Sequence, residues 1–157
     1  MPILNYTTAV PADRTVSRIH ERLRRTGATA IVAKYEKGRI TALSFTLVTA
    51  VGERAFIVPL AVDRVLAVLR SQSPKVAPRY CTLEHAEKVA LRITEDWLKS
   101  MLAIIETELV TFDQVMLPYM RALDGSTVYQ KYLEHGVMML EGGTGNADQR
   151  RRHPGGV

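Results

Sequence analysis

The chain has 157 residues, 46% of them hydrophobic, and 21 Lys/Arg against 16 Asp/Glu, so it can bury one hydrophobic core and has a formal net charge of +5. Its single cysteine excludes an intramolecular disulfide framework and favours a reducing compartment. The amino terminus lacks a signal-peptide pattern and no segment approaches the ~20 apolar residues of a spanning helix, so we expect a cytoplasmic protein with no membrane partner.

The first predicted element is a helix over residues 15–26. Apolar residues recur at helical spacing from Val16 to Leu23, Thr15 can cap the helix, and Gly27 stands where a left-handed terminator belongs. On the side opposite this stripe the pattern predicts a basic ridge, formed by Arg14, Arg18, Arg22 and Arg25, with Arg24 beside them. Guanidinium groups on successive turns can donate paired hydrogen bonds to phosphate oxygens, although an ordinary solvated helix face is the alternative.

Three strands are predicted next, at residues 28–35, 40–49 and 54–60. The turns between them contain Gly38 and Gly52, which permit a tight reversal of the backbone. Alternate apolar positions share one face of the sheet, namely Leu43, Phe45, Leu47, Phe56, Val58 and Leu60. We therefore expect a three-stranded antiparallel meander with one face covered by helices. The first hairpin is expected to extend the basic ridge through Lys34, Lys37 and Arg39.

Helical patterns fill the next part of the chain. A short helix is predicted over residues 63–71, and the prolines that follow mark a linker at residues 74–81. Thr82 is positioned to cap a long helix that reaches about residue 110. Two apolar stripes run along this helix, which indicates that it is wedged between neighbouring elements.

The last predicted elements are short. The helical pattern resumes at residues 111–120 until Pro118 disturbs it, a turn is expected at residues 124–126, and a final helix at residues 127–135. Beyond Glu141 the composition is dominated by glycine and polar residues, which predicts a disordered tail.

Together these elements predict an α+β fold: a helix, a three-stranded antiparallel meander, a helix, a long helix and a short C-terminal helix. The predicted organisation is a basic α-β-β-β-α unit at residues 1–73, the linker at 74–81, an acidic helical extension at 82–140 packed on the first unit as one domain, and the tail at 141–157.

Charge is distributed unevenly along the chain. Residues 1–80 contain thirteen Lys/Arg and five Asp/Glu, whereas residues 81–140 contain five and nine. A basic surface attracts phosphate or another polyanion, while the acidic half could neutralise it within the fold or in a neighbouring subunit. The asymmetry therefore makes nucleic acid the expected partner.

Motifs for catalysis or metal binding are absent from the sequence. Glu84, His85 and Glu87 lack the spacing of motifs such as His-Glu-x-x-His. The glycine-rich stretch at residues 142–145 has neither the preceding strand nor the following Lys-Ser/Thr of a nucleotide-binding loop. Cys81 precedes a helix, but no histidine and acid can be placed beside it from the sequence. We therefore predict a protein without a catalytic residue, metal or cofactor.

Six segments carry a resemblance to small phage and prophage proteins of uncharacterised function. They are MPILNYTT, TALSF, ERAFIVPL, APRY, ITEDWL and ETELVTFDQVMLPYM, and the resemblance covers about residues 1–135. Genes of this group look like neighbours of DNA replication and recombination genes, so the resemblance implies a role in DNA metabolism in a host cell. The order of elements also resembles double-stranded-RNA-binding domains, but the lysine-rich start of their last helix is missing at residues 63–67.

These observations predict a non-catalytic nucleic-acid-binding protein of low sequence specificity, with DNA as its ligand, accessory to phage replication or recombination. The alternative is a protein-interaction module, either a phage-encoded inhibitor of a host factor or a self-assembling subunit. That alternative would bind its partner through Trp97 and Met101 of the long helix and through the methionine-rich end of the chain. A third possibility is self-assembly in which the basic half of one copy pairs head-to-tail with the acidic half of another.

Overall fold

The secondary structure follows the order expected from the sequence. The structure is a computed structural model, and it describes residues 1–136. Its helices and strands are α1 (Ala12–Arg25), β1 (Ala30–Glu36), β2 (Arg39–Thr49), β3 (Gly52–Pro59), α2 (Val62–Ser71), α3 (Leu83–Glu106), α4 (Phe112–Met116) and α5 (Val128–His135). Short 3-10 turns precede α3 and follow α4, at Pro78–Tyr80 and Leu117–Tyr119. The predicted α+β class is confirmed.

The sheet is the predicted antiparallel meander, with strand order β1-β2-β3. A two-residue turn of Lys37 and Gly38 joins the first two strands, and both residues have positive φ angles, 51° and 76°. A two-residue hairpin turn of this kind needs that left-handed backbone, which glycine adopts without strain. The turn therefore displays Lys37 at the exposed tip of the first hairpin.

The main core lies between one face of the sheet and the helices α1 and α3. Phe45 of β2, Phe56 of β3 and Phe112 of α4 form an aromatic cluster, with ring centroids 5.3 to 6.0 Å apart. Ile19 and Leu23 of α1 are fully buried against this core, and each stabilises the fold by about 1.5–3 kcal/mol. Their burial fixes α1 beside α3.

A second, smaller core joins α2 to the first half of α3. It contains Val62 and Leu69 of α2 together with Ala86 and Ala90 of α3. Val76, which falls in the predicted linker, is fully buried in the same cluster. This packing ties the segment before α3 to both helices.

Two helix starts show where capping was predicted correctly and where it was not. Thr82 caps α3 as expected, because its hydroxyl accepts a hydrogen bond from the His85 backbone N–H at 3.2 Å. Thr15 is not a cap. The first helix begins three residues earlier, after Pro11, and Thr15 is buried within it with its hydroxyl 3.5 Å from the Pro11 carbonyl oxygen.

Helix ends also differ in detail from the pattern. Gly27 has a φ of +99° and terminates α1 as expected. The long helix ends at Glu106 rather than near residue 110, and Glu108 just beyond it has a positive φ of 60°. The helix expected over residues 111–120 is confined to Phe112–Met116, because the chain turns at Pro118.

The segment after α4 returns to the sheet. The Arg121 backbone N–H donates to the Ala55 carbonyl at 2.8 Å, and Met120 bridges to Phe56, so this segment covers part of the free edge of β3. A turn at residues 124–126 and the helix α5 follow as expected. The predicted tail at 141–157 lies outside the described residues. Among residues 1–136, no helix combines the length and apolar character needed to cross a membrane.

Candidate nucleic-acid interface

The arginines of α1 line a groove between α1 and the second half of α3. The groove has a volume of about 840 Å3. Its α1 side carries Arg14, Arg18, Arg22 and Arg25, and its α3 side carries Lys99 together with the apolar residues Leu102, Ala103 and Ile105. We call this feature the α1–α3 groove. The predicted ridge therefore runs along the edge where α1 meets α3.

Carboxylates balance part of this positive charge. Glu21 and Glu106 line the groove beside its five cationic side chains, which leaves a surplus of three positive charges. Glu21 accepts hydrogen bonds from Arg24 at 2.9 Å and from Arg25 at 2.7 Å. These bonds lower the pKa of Glu21 to about 2, so its carboxylate is ionised at neutral pH. Arg24 and Arg25 are consequently paired within their own helix.

Arg22 forms an ion pair that links α1 to α3. Its Nη2 lies 3.8 Å from Oε1 of Glu95 on α3, and Glu95 is only 3% exposed. Arg92 pairs with the other carboxylate oxygen of Glu95. The Nε atom of Arg22 is buried without a hydrogen-bond partner among the described residues. The Arg22 side chain is 36% exposed, so it links α1 to α3 and still reaches the groove.

Three cations of the groove have no such partner in the part of the chain that the structure describes. None of the ion pairs formed within residues 1–136 involves Arg14, Arg18 or Lys99. Arg14 is exposed and Arg18 is half-buried, one helical turn further along α1. These three side chains are the ones available to an anion.

The cations of the first hairpin do not reach the groove. Lys34 pairs with Glu36 at 3.1 Å, and neither it nor Lys37 or Arg39 lines the α1–α3 groove. The hairpin instead contacts the start of α3, where the Ile40 N–H donates to Glu87 at 3.0 Å. Twelve residues of helix, about 18 Å, separate that contact from Lys99. The structure thus brings together the α1 arginines and leaves the hairpin cations apart.

Trp97 and Met101 contribute to packing. Met101 is 3% exposed and belongs to the main core. Trp97 packs against that core, and its ring makes an edge contact with Tyr119 at 5.5 Å. Of the methionine-rich end, Met116 and Met120 are buried, whereas Met138 and Met139 lie outside the described residues. The predicted apolar partner surface on α3 is therefore occupied by the protein's own core.

The α3 wall was not anticipated from the sequence. The sequence places Leu102 and Ile105 in one of the two apolar stripes predicted for the long helix, and it assigns neither Lys99 nor Glu106 to a binding surface. The sequence signal that could have indicated this side of the groove is that charged and apolar residues are neighbours on adjacent turns of the long helix. Their pairing with α1 depends on tertiary packing, which no local pattern reveals.

The polar lining of the groove is mostly cationic. Among residues 1–136, two hydroxyl side chains line it, those of Ser17 and Thr26, and no histidine or cysteine does. Within the described part of the chain, no group of three or more His, Cys, Asp or Glu is placed to hold a metal ion. Guanidinium and ammonium groups that line one groove are suited to reversible binding of a phosphate-bearing ligand.

In comparisons with known proteins, no family model, no curated protein and no solved structure matches this chain. The resemblance to phage proteins stays a prediction.

Proposed function

We propose that this protein binds DNA without catalysing a reaction and that it holds the phosphate backbone in the α1–α3 groove. The observation that carries the proposal is that Arg14, Arg18 and Lys99 line one groove and are unpaired among residues 1–136. Arginine donates two parallel hydrogen bonds to phosphate, so two arginines one turn apart can hold neighbouring phosphates.

Binding through such contacts depends on charge more than on base sequence. Each phosphate that is neutralised releases condensed counterions, which makes the affinity fall as salt rises. Contacts to phosphates fix the position of the protein on the strand but carry no direct sequence information. The proposed activity is therefore salt-sensitive binding of low specificity, and the resemblance to phage proteins favours a role in phage DNA replication or recombination within the host cytoplasm.

The cations that already form ion pairs contribute less to phosphate binding than the unpaired ones. Arg24 and Arg25 share Glu21, and an exposed ion pair must be broken or shared before either can hold a phosphate. Arg22 stays bound to the buried Glu95, whose charge it helps to neutralise. We therefore assign the main contacts to Arg14, Arg18 and Lys99, with Arg22 and Arg25 at the margin.

The test compares two charge reversals of equal size. The groove variant is Arg14→Glu with Arg18→Glu, and the control is Lys34→Glu with Lys37→Glu on the hairpin, outside the groove. We avoid substituting Arg22, because a new carboxylate would face the buried Glu95. Binding of labelled DNA is measured by fluorescence anisotropy at low salt.

We expect the groove variant to lose most of its binding while the hairpin variant keeps most of it. A groove variant that binds DNA as well as the unaltered protein would refute the proposal. Equal loss in both variants would also refute the assignment to the groove, because it would mean that overall charge alone controls binding.

Self-assembly is the second candidate function. The helix α5 has no buried residue, and Tyr129, Tyr132 and Leu133 are exposed on it. Contiguous exposed apolar side chains favour contact with another protein surface, and a second copy of the chain would supply an identical one. Sedimentation velocity at increasing concentration tests this, with Leu133→Asp expected to reduce association. A chain that sediments as a monomer at all concentrations would exclude it.

A further inference from the structure

We infer that two copies of this chain associate through the outer edge of β1, with their β1 strands paired antiparallel in one continuous sheet. In the three-stranded sheet β1 lies at one edge and β3 at the other. The segment after α4 covers part of the β3 edge, where the Arg121 N–H donates to the Ala55 carbonyl. Within residues 1–136 no backbone hydrogen bond of this kind reaches the outer edge of β1, and no residue of that strand is buried.

Alternate residues of β1 present their backbone groups to this outer edge. In an antiparallel sheet, successive residues of a strand hydrogen-bond to opposite sides. The Leu60 N–H donates to the Thr41 carbonyl, so the odd-numbered residues of β2 bond towards β3 and its even-numbered residues bond towards β1. Val32 lies opposite Ser44 in the register, so the even-numbered residues of β1 point towards β2. The odd-numbered residues of β1 therefore point outwards.

This alternation continues to the end of the strand. The register shifts between Lys34 and Tyr35, but Glu36 pairs with Arg39 across the two-residue turn. The residues that close such a turn are hydrogen-bonded to each other, so Glu36 points towards β2 and Tyr35 points outwards. Unpaired N–H and C=O groups on an edge strand are a template for another strand. The residues of β1 that present them are Ile31, Ala33 and Tyr35.

A second copy of β1 matches this edge when Ala33 of one copy lies opposite Ala33 of the other. Ile31 then lies opposite Tyr35 of the second copy, so each outward N–H and C=O faces a partner. Odd-numbered residues lie opposite odd-numbered ones, so the helix-covered faces of the two sheets coincide. Ile31 packs against the main core on that face, and the exposed Tyr35 ring of the second copy would lie beside it. Aromatic and β-branched residues placed opposite each other stabilise antiparallel sheets.

The charges of β1 select this register. Nζ of Lys34 lies 3.1 Å from Oε1 of Glu36, so the strand carries no net charge that would repel an identical strand. With Ala33 at the two-fold axis, Lys34 lies opposite the exposed Val32 of the second copy and can cover it with its aliphatic stem. Centring the pairing on Lys34 would oppose two like charges. Centring it on Val32 would leave Tyr35 and Glu36 beyond the end of the second strand. Two-fold pairing of identical edges closes after two copies.

The experiment measures association by sedimentation velocity at increasing protein concentration. Val32→Lys places a lysine opposite Lys34 of the other copy, twice in each dimer, and we expect it to raise the dissociation constant about tenfold. The matched control is Val48→Lys, the same change at an exposed valine on the same face of β2, beyond the residues that pair with β1. It should associate like the unaltered protein. Adding Lys34→Glu to Val32→Lys places opposite charges across the two strands and should restore association.

Hydrogen exchange of individual amides reports the edge directly. The amides of Val32 and Lys34 point towards β2 in each copy, so their protection should not depend on protein concentration. The amides of Ile31, Ala33 and Tyr35 become hydrogen-bonded only when a second strand pairs with β1. We expect their protection to rise with protein concentration and to be lost in Val32→Lys.

Several outcomes would overturn this inference without touching the proposed DNA binding. A chain that stays monomeric at all concentrations would do so. Equal loss in Val32→Lys and Val48→Lys would place the contact on the face of the sheet instead of its edge. Association that persists in Val32→Lys and is lost in Leu133→Asp would assign it to α5. If Lys34→Glu fails to restore association, the register is wrong. Should Val32→Lys fail to fold by circular dichroism, the exchange of the outward amides in the unaltered protein still decides.

Discussion

Arg22 of α1 and Glu95 of α3 bridge the two helices that form the groove, with Nη2 and Oε1 3.8 Å apart and the carboxylate almost fully buried. Arg92 holds the second oxygen of Glu95 and also lies 3.7 Å from Asp96. A buried carboxylate without a cation would be expensive to desolvate, so this arrangement keeps the charge of Glu95 neutralised. The same contact fixes one wall of the groove against the other.

Removing Glu95 should therefore destabilise the protein. We expect Glu95→Ala to lower the free energy of unfolding by about 2–3 kcal/mol, somewhat below the cost for a fully buried pair, because Arg22 and Arg92 retain solvent access. Urea unfolding measures the change. The matched control is Glu84→Ala, which breaks the exposed pair with Lys88 and should cost less than about 1 kcal/mol. Similar losses in the two variants would contradict the structural role of Glu95.

The salt dependence of binding should report the number of free cations. For single-stranded DNA each neutralised phosphate contributes about −0.7 to the slope of log K against log salt, so three free cations predict a slope of about −2. Arg18→Ala should make that slope shallower by about 0.7, and Lys37→Ala on the hairpin should leave it unchanged. Titrations at several salt concentrations give both slopes. An unchanged slope in Arg18→Ala would show that this side chain does not contact phosphate.

Glu21 should make stability depend on pH in the acid range. Its pKa falls from 4.5 in the unfolded chain to about 2 in the folded protein, because it accepts hydrogen bonds from Arg24 and Arg25. The stabilisation is therefore fully present above pH 4.5 and is lost as the pH falls towards 2. We expect the difference in urea midpoint between the unaltered protein and Glu21→Gln to be constant above about pH 5 and to shrink below it. A difference that is constant down to pH 2.5 would contradict this pairing.

The fold was largely predictable because its signals are local. Glycines at 38 and 52 mark the turns of the meander, and Thr82 marks the start of α3, since turn and cap chemistry act within a few residues. Thr15 misled the prediction of the first helix start. Its hydroxyl has the chemistry of a cap, but Pro11 already begins the helix and burial holds Thr15 inside it.

Only the α1 side of the candidate site was predictable, because the rest of the site depends on contacts between residues that are far apart in the sequence. The α1 arginines share a helix face, so the helical repeat alone brings them together. Lys99 and Leu102 join them only because α1 packs against α3, a contact between residues far apart in sequence. The pairing of Arg22 with Glu95 was likewise invisible in the sequence, since it depends on the angle and offset at which the two helices meet.

The helix α3 spans 24 residues, about 36 Å, and is shared by both hydrophobic clusters. Ala86 and Ala90 belong to one cluster, and Leu98 and Met101 to the other. Because helix formation is cooperative along a continuous backbone, loss of packing at one end of α3 weakens the other. The chain should consequently melt in a single transition, with the α3 side of the groove lost at the same temperature as the distant contacts around α2.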